Sequence, residues 1–222
     1  MSRREVKNSA VYLLFSLFLL PYLLSAVNGA LLIPWSNVAL NFLFFLVNFL
    51  AVTGILRKFL VHSGTDALKR PIGILTAAFW CLLGYLAAKF LVSRFILWVY
   101  PDFSNQNDES ILQLIDQNRF LMILGTVFFV PLTEECLYRG FLFGVLRCHS
   151  RTIAYLVSVP VFCLIHMFGL IGSAPFAVTL LSFLQYIPAG IFLAYAYERA
   201  DNIYAPILIH TAVNALGMIA TR

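Results

Sequence analysis

The amino-acid sequence predicts an all-α, polytopic transmembrane helical bundle. Of its 222 residues, 61% are apolar and 11% charged, whereas an ordinary soluble domain carries about 25% charged residues. Apolar runs of about 20 residues, each long enough to cross ~30 Å of hydrocarbon, recur along the chain. No alternating pattern of the β-barrel kind accompanies them. In lipid every backbone amide must be bonded within the protein, so the runs read as helices. The sequence has no internal repeat and no low-complexity tract, and residues 1–222 form a single membrane domain.

About seven spans are predicted, over residues 9–29, 37–56, 72–93, 120–146, 152–171, 175–197 and 203–220. The first follows Arg3, Arg4 and Lys7. It exceeds the ~7–15-residue core of a signal peptide and is read as an uncleaved helix. Arg57, Lys58, Lys69 and Arg70 fill the second connection, Arg147 and Arg151 the fourth, and Arg199 the sixth. The third connection instead holds Asp102, Asp108, Glu109 and Asp116. The positive-inside rule then puts the N-terminus in the cytoplasm and the C-terminus outside, in a multi-pass protein of the cytoplasmic (inner) membrane. Lys89 and Arg94 break the pattern near the outer end of the third span, where their stems can snorkel to the interface.

Net charge is +5, but the basic residues form no stripe interleaved with aromatics, so no nucleic-acid partner is expected. Three of the four cysteines, Cys81, Cys136 and Cys163, lie in apolar spans, with Cys148 at a span end. They read as small hydrophobes and not as a disulfide framework.

An ionisable group at bilayer depth costs at least ~2.5–3.5 kcal/mol on insertion scales, so it marks a functional site by default. Eight of the ten carboxylates fall in connections or at span margins. The exceptions are Glu134 and Glu135, adjacent in the fourth span. His166 and His210 lie inside the fifth and seventh. At ~1.5 Å per residue, Glu134 and His166 are roughly 20 and 22 Å from the cytoplasmic ends of their spans, and His210 and Asn214 roughly 10 and 16 Å. Antiparallel helices therefore bring these groups to similar levels.

Spacing refines their roles. His210 and Asn214 are four apart and share a face, as do Phe162 and His166. Glu135 precedes Arg139 by four, the favourable orientation for an intrahelical ion pair, and is read as a supporting residue. Pro131, one turn before the acid pair, frees a backbone carbonyl and suggests a kink facing protein or a watery cavity. Gln185 and Pro188 read as a helix contact and a kink. The first three spans are expected to contribute mainly apolar walls. The last span brings its motif within about two turns of its cytoplasmic end, so the site is expected to open to the cytoplasm.

Thr133-Glu134-Glu135-Cys136-Leu137-Tyr138-Arg139-Gly140 resembles the Glu-Glu-x-x-x-Arg motif of the CAAX protease and bacteriocin-processing family of intramembrane endopeptidases. Phe162-x-x-x-His166 matches the second motif of that family and His210-x-x-x-Asn214 the third, approached through Tyr204-Ala205-Pro206. The resemblance covers about residues 120–220, a catalytic core, while the N-terminal helices of residues 1–119 match in character alone. Tyr138 stands where phenylalanine is common.

The resemblance implies a peptidase in which Glu134 activates water, His166 holds it, and His210 and Asn214 stabilise the oxyanion. Its substrate would be a peptide or protein at the membrane, lipidated in the best-known case. No cofactor is expected. Zinc held by Glu134, His166 and His210 is the alternative, although the His-Glu-x-x-His helix of zinc peptidases is missing. Two other functions fit the scaffold: a non-catalytic immunity or partner-binding protein, and a proton-carrying transporter. A transporter favours interrupted helices in both halves, and the first three spans show no polar counterpart to the last four.

Overall fold

The computed structural model describes residues 1–168 and 171–220, and among these every regular element is a helix. In chain order they are α1 (Arg3–Phe18), α2 (Leu20–Gly29), α3 (Asn37–Ile55), α4 (Arg57–Lys69), α5 (Pro71–Val99), α6 (Gln106–Gln117), α7 (Arg119–Arg147), α8 (Arg151–His166), α9 (Phe176–Ala200) and α10 (Tyr204–Ala220). Helical segments occupy all seven predicted spans. Four of them, α3, α5, α7 and α9, are long and apolar enough to cross a membrane alone. The pair α1 and α2, bent by 46°, adds a fifth if it counts as one span. The remaining two, α8 with 16 residues and α10 with 17, fall short of the ~20 needed for ~30 Å of hydrocarbon. The predicted span 152–171 ends at residues that partly lie outside the described ones.

Two helices lie where the sequence suggested plain connections. The first, α4, follows α3 through Leu56, which is fully buried. The second, α6, begins at Asn105, whose side chain accepts hydrogen bonds from the Asn107 and Asp108 amides. Asp108 and Glu109 in its first turn complement the helix dipole.

The bundle is built around α7. Half of its most apolar window is buried inside the protein, against 17%, 28% and 39% for α3, α5 and α9. Lipid receives the other faces: on α5, Phe79, Trp80, Phe90 and Leu91 are exposed while Ile74, Ala78, Cys81, Tyr85 and Ile96 form a buried stripe. That stripe packs on α9, which in turn packs on α7, α8 and α10. Gly190 permits the close approach of α8 and α9, since a Cβ there would stand 2.8 Å from Val159 Cγ1. Cys81, Cys136 and Cys163 are buried, Cys148 is exposed, and all four are free.

At the end of the bundle rich in basic residues, polar contacts tie the connections together. The Asn202 amide donates to the Ser63 carbonyl at 2.8 Å and to Asp66 at 2.9 Å, and Asp66 also accepts from Arg70. Arg147 pairs with Asp201, a residue in the left-handed region (φ 46) that closes α9.

Candidate active site

The local backbone of α7 sets the position of both acids. Pro131 has no amide hydrogen, and around it the helix widens: residues Leu124–Phe129 and Glu135–Phe143 are π-helical, with one α-turn, Val130–Glu134, between them. The Val130 amide, for example, reaches back five residues to the Gly125 carbonyl. Such insertions turn the following side chains onto a new face and occur often at functional sites. The kink expected from Pro131 is thus spread over two π-helical stretches.

Glu135 points into protein. It is fully buried, as is Arg139 at 2% exposure. Arg139 Nη1 donates to Glu135 Oε1 at 3.1 Å, Nη2 donates to the Ala189 carbonyl at 3.3 Å, and the guanidinium lies 4.0 Å from the Phe162 ring centre. The ion pair foreseen from the spacing is therefore present, and it clamps α7, α8 and α9. Glu135 Oε1 also accepts from His210 Nδ1 at 2.7 Å. The sequence reading, which gave Glu135 to Arg139 alone, is corrected here: it has a second partner on α10.

Glu134 points instead into a cavity of about 390 Å³, a volume in the range of small-ligand sites. His166, His210 and Asn214 line the same cavity, so the four residues singled out from the sequence meet in one place. His166 Nδ1 donates to the Phe162 carbonyl at 2.8 Å. A carbonyl can only accept, so Nδ1 carries a hydrogen and Nε2 faces outward. Nε2 lies 3.5 Å from Glu134 Oε2, and that oxygen is buried without a hydrogen-bond partner among the described residues. Asn214 Nδ2 donates one hydrogen to the Thr126 carbonyl at 2.8 Å, leaving its second amide hydrogen for the cavity. The Phe162 ring stands between the two imidazoles, with ring centres 4.3 Å from His166 and 6.5 Å from His210.

Among the described residues no three His, Cys, Asp or Glu side chains are disposed to hold a metal ion.

Two expectations about the surroundings are corrected. Phe45 of α3 and Tyr85 of α5 wall the cavity, and Lys89 of α5, expected at the lipid interface, lines it beside them. Lys89 continues the buried stripe of α5, one turn beyond Tyr85, and so faces the site rather than the lipid interface. Nor does the cavity run toward the basic end. Its walls reach Lys89, Asn107, Asp108 and Met218, all toward the acidic third connection, and include no residue of the basic connections.

Tyr186 is the functional candidate that sequence reasoning missed. Its ring lies 4.6 Å from that of His166, and its hydroxyl accepts from Asn107 at 3.0 Å and donates to Asp108 at 3.3 Å. The neighbouring Gln185 accepts from the Asn105 amide at 2.6 Å, a helix contact as expected. Tyrosine is common in apolar spans, and nothing in its spacing distinguished this one.

Comparison with known proteins fits this geometry. Residues 116–216, which contain Glu134, His166, His210 and Asn214, match the family described as type II CAAX prenyl endopeptidase Rce1-like. That stretch, a little under half of the chain, is similar to the family. The chain's long apolar helices and the similarity to a membrane peptidase support an integral, multi-pass membrane protein. The chain is 26% identical over 194 residues to the Bacillus subtilis (strain 168) protein named "Putative membrane peptidase YdiL", covering 83% of this chain and 70% of that one. It is 28% identical over 140 residues to "UPF0177 protein YxdF" of Lactococcus lactis subsp. lactis (strain IL1403), covering 62% and 71%. No solved structure matches it. The Rce1-like stretch coincides with α7 to α10, the helices that carry the polar site.

Proposed function

We propose that this Rce1-like protein is an intramembrane endopeptidase that hydrolyses a peptide bond with water activated by Glu134. The observation that carries the reading is the pairing of Glu134 and His166 at 3.5 Å across a cavity, with the facing carboxylate oxygen lacking a hydrogen-bond partner among the described residues. A water there donates one hydrogen to Glu134 and the other to the His166 Nε2 lone pair. Glu134 takes the proton as the oxygen attacks the scissile carbonyl, then returns it to the leaving amine, giving a carboxylic acid and an amine.

The oxyanion that forms accepts from Asn214 through its second amide hydrogen and from His210 Nε2. Glu135 holds the His210 ring in place through Nδ1. Donors fixed in advance at a site shielded from bulk water act most strongly on developing charge. Substrates are peptides or proteins at the bilayer, and lipidated ones are the first to try. No resident metal is used in this scheme.

The test is incubation of purified protein in lipid with a pool of free and lipid-anchored peptides, with fragments identified by mass spectrometry. Fragments are expected with wild type and none above background with Glu134→Gln at equal thermal stability. Equal release by both proteins rejects the assignment of Glu134.

A further inference from the structure

Pro131 is fully buried within α7 and has no amide hydrogen to donate. Which carbonyl that leaves free depends on the register of the helix around it. In an α-helix residue 131 would donate to Val127, four residues back. In the π register it would donate to Thr126, five back. The second case holds here, because the preceding amide, Val130, already reaches five residues back to Gly125. Val130 is also the ordinary α-helical donor to Thr126. Both usual donors therefore pass the Thr126 carbonyl by.

Thr126 is buried, and a backbone carbonyl buried at bilayer depth is costly unless it is paired. Another helix supplies the partner. Asn214 Nδ2 on α10 donates to this carbonyl at 2.8 Å, where α10 packs on the first π-helical stretch. A carbonyl only accepts, so the nitrogen of the Asn214 amide, and not its oxygen, faces Thr126. The two hydrogens of a carboxamide lie in one plane at a fixed angle, so holding one sets the direction of the other. Asn214 lines the cavity together with Glu134 and His210, and the remaining hydrogen serves that cavity.

From this we infer that Pro131 is a positioning residue: by withholding an amide hydrogen from the Thr126 carbonyl, it leaves that carbonyl to fix Asn214 as an oxyanion donor. The inference rests on the peptidase reading for the role of Asn214. The link between Pro131 and Asn214 rests on the hydrogen-bond geometry alone. An amide hydrogen at position 131 would compete for the carbonyl within α7 and release the Asn214 side chain. The donor would then no longer be held in advance where charge develops.

The experiment compares two replacements at position 131 that differ by a single N–H group. Pro131→Ala supplies the hydrogen. The α-hydroxy analogue of alanine, introduced by nonsense suppression, puts an ester oxygen in its place. Each is combined with Asn214→Ala, and thermal unfolding in lipid nanodiscs gives a readout independent of cleavage. In the wild-type and ester backgrounds Asn214→Ala should lower the unfolding temperature by about 2–8 °C, since the buried carbonyl loses its partner. In the Pro131→Ala background the shift should be less than half as large, because the new amide takes the carbonyl over. In a cleavage assay Pro131→Ala should lower kcat about ten- to a hundredfold at nearly constant KM, part of the ~10²–10³ that one oxyanion donor carries. The ester should restore most of the lost kcat. Equal shifts from Asn214→Ala in all three backgrounds overturn the inference, as does an ester protein that unfolds and cleaves like Pro131→Ala. Coupling in unfolding without loss of kcat overturns it too, because Asn214 would then be held for packing alone. Equal fragment release by wild type and Glu134→Gln, with the coupling in unfolding intact, would instead reject the peptidase reading and leave the link between Pro131 and Asn214 standing.

Discussion

At Glu135 one carboxylate oxygen accepts from two cationic-type side chains, Arg139 on its own helix and His210 across the bundle. Removing the acid leaves a guanidinium at 2% exposure without its counter-charge. Glu135→Ala should therefore cost about 3–5 kcal/mol of stability, read as a lower unfolding temperature in lipid or detergent. Glu134→Gln should leave that temperature nearly unchanged, because Glu134 Oε2 has no partner to lose among the described residues. The opposite ranking would invert the roles of the two acids. Activity should survive exhaustive chelation, because the proposed scheme activates water through Glu134 and, among the described residues, no three His, Cys, Asp or Glu side chains are disposed to hold a metal ion. Loss on chelation with recovery on added zinc would reverse this. The sequence revealed these residues because ionisable groups are scarce at depth. It concealed the bond between Glu135 and His210, since contact between α7 and α10 depends on how the helices pack. Lys89 was visible as a charge yet was assigned to the interface, because the direction of one side chain at a span end depends on neighbours that no spacing names.

Helices, as elements, were legible wherever an apolar run persisted, and α4 and α6 escaped because their mixed composition resembles that of a connection. The π-helical stretches of α7 were signalled only by Pro131, whose missing amide hydrogen tells where a ladder breaks but not how far the disturbance spreads. Packing between α8 and α9 rests on Gly190, opposite a valine whose β-branching leaves little freedom to move aside. Gly190→Ala should cost about 1–3 kcal/mol by overpacking. Adding Val159→Ala should recover most of it, as measured by thermal unfolding of the single and double variants. An additive double variant would mean that the two sites do not touch. On the basic end, Arg70 and then Asn202 hydrogen-bond to Asp66 and hold its carboxyl at about 2, below the usual 3.8. A depressed carboxylate stabilises the fold above its unfolded value and loses that contribution as pH falls through the folded one. Stability should thus decline between about pH 4 and pH 2. Asp66→Asn should flatten that decline in an unfolding series across the window, and an unchanged slope would remove Asp66 from the account.

For the whole molecule, the charge pattern and the cavity together make a prediction about sidedness that neither makes alone. Arg57, Lys58, Lys69, Arg70, Arg147, Arg151 and Arg199 all lie at one end, the end that the positive-inside rule assigns to the cytoplasm. The cavity runs the other way, from Glu134 to Asn107 and Asp108 on α6. With the N-terminus inside, substrates should therefore reach Glu134 from the non-cytoplasmic face, the reverse of what the position of His210 near the start of α10 suggested. The protein carries its own marker for the opposite end, because Cys148 is exposed beside Arg147. In intact cells stripped of their wall, a membrane-impermeant maleimide should label Asp108→Cys and spare Cys148. In inverted vesicles the same reagent should label Cys148 and spare Asp108→Cys. Labelling of both positions from one side would break the antiparallel arrangement of α7 on which the depth argument stands. An exchange of the two patterns would keep the bundle and invert it in the membrane, so that the cavity and its Lys89 would face the cytoplasm.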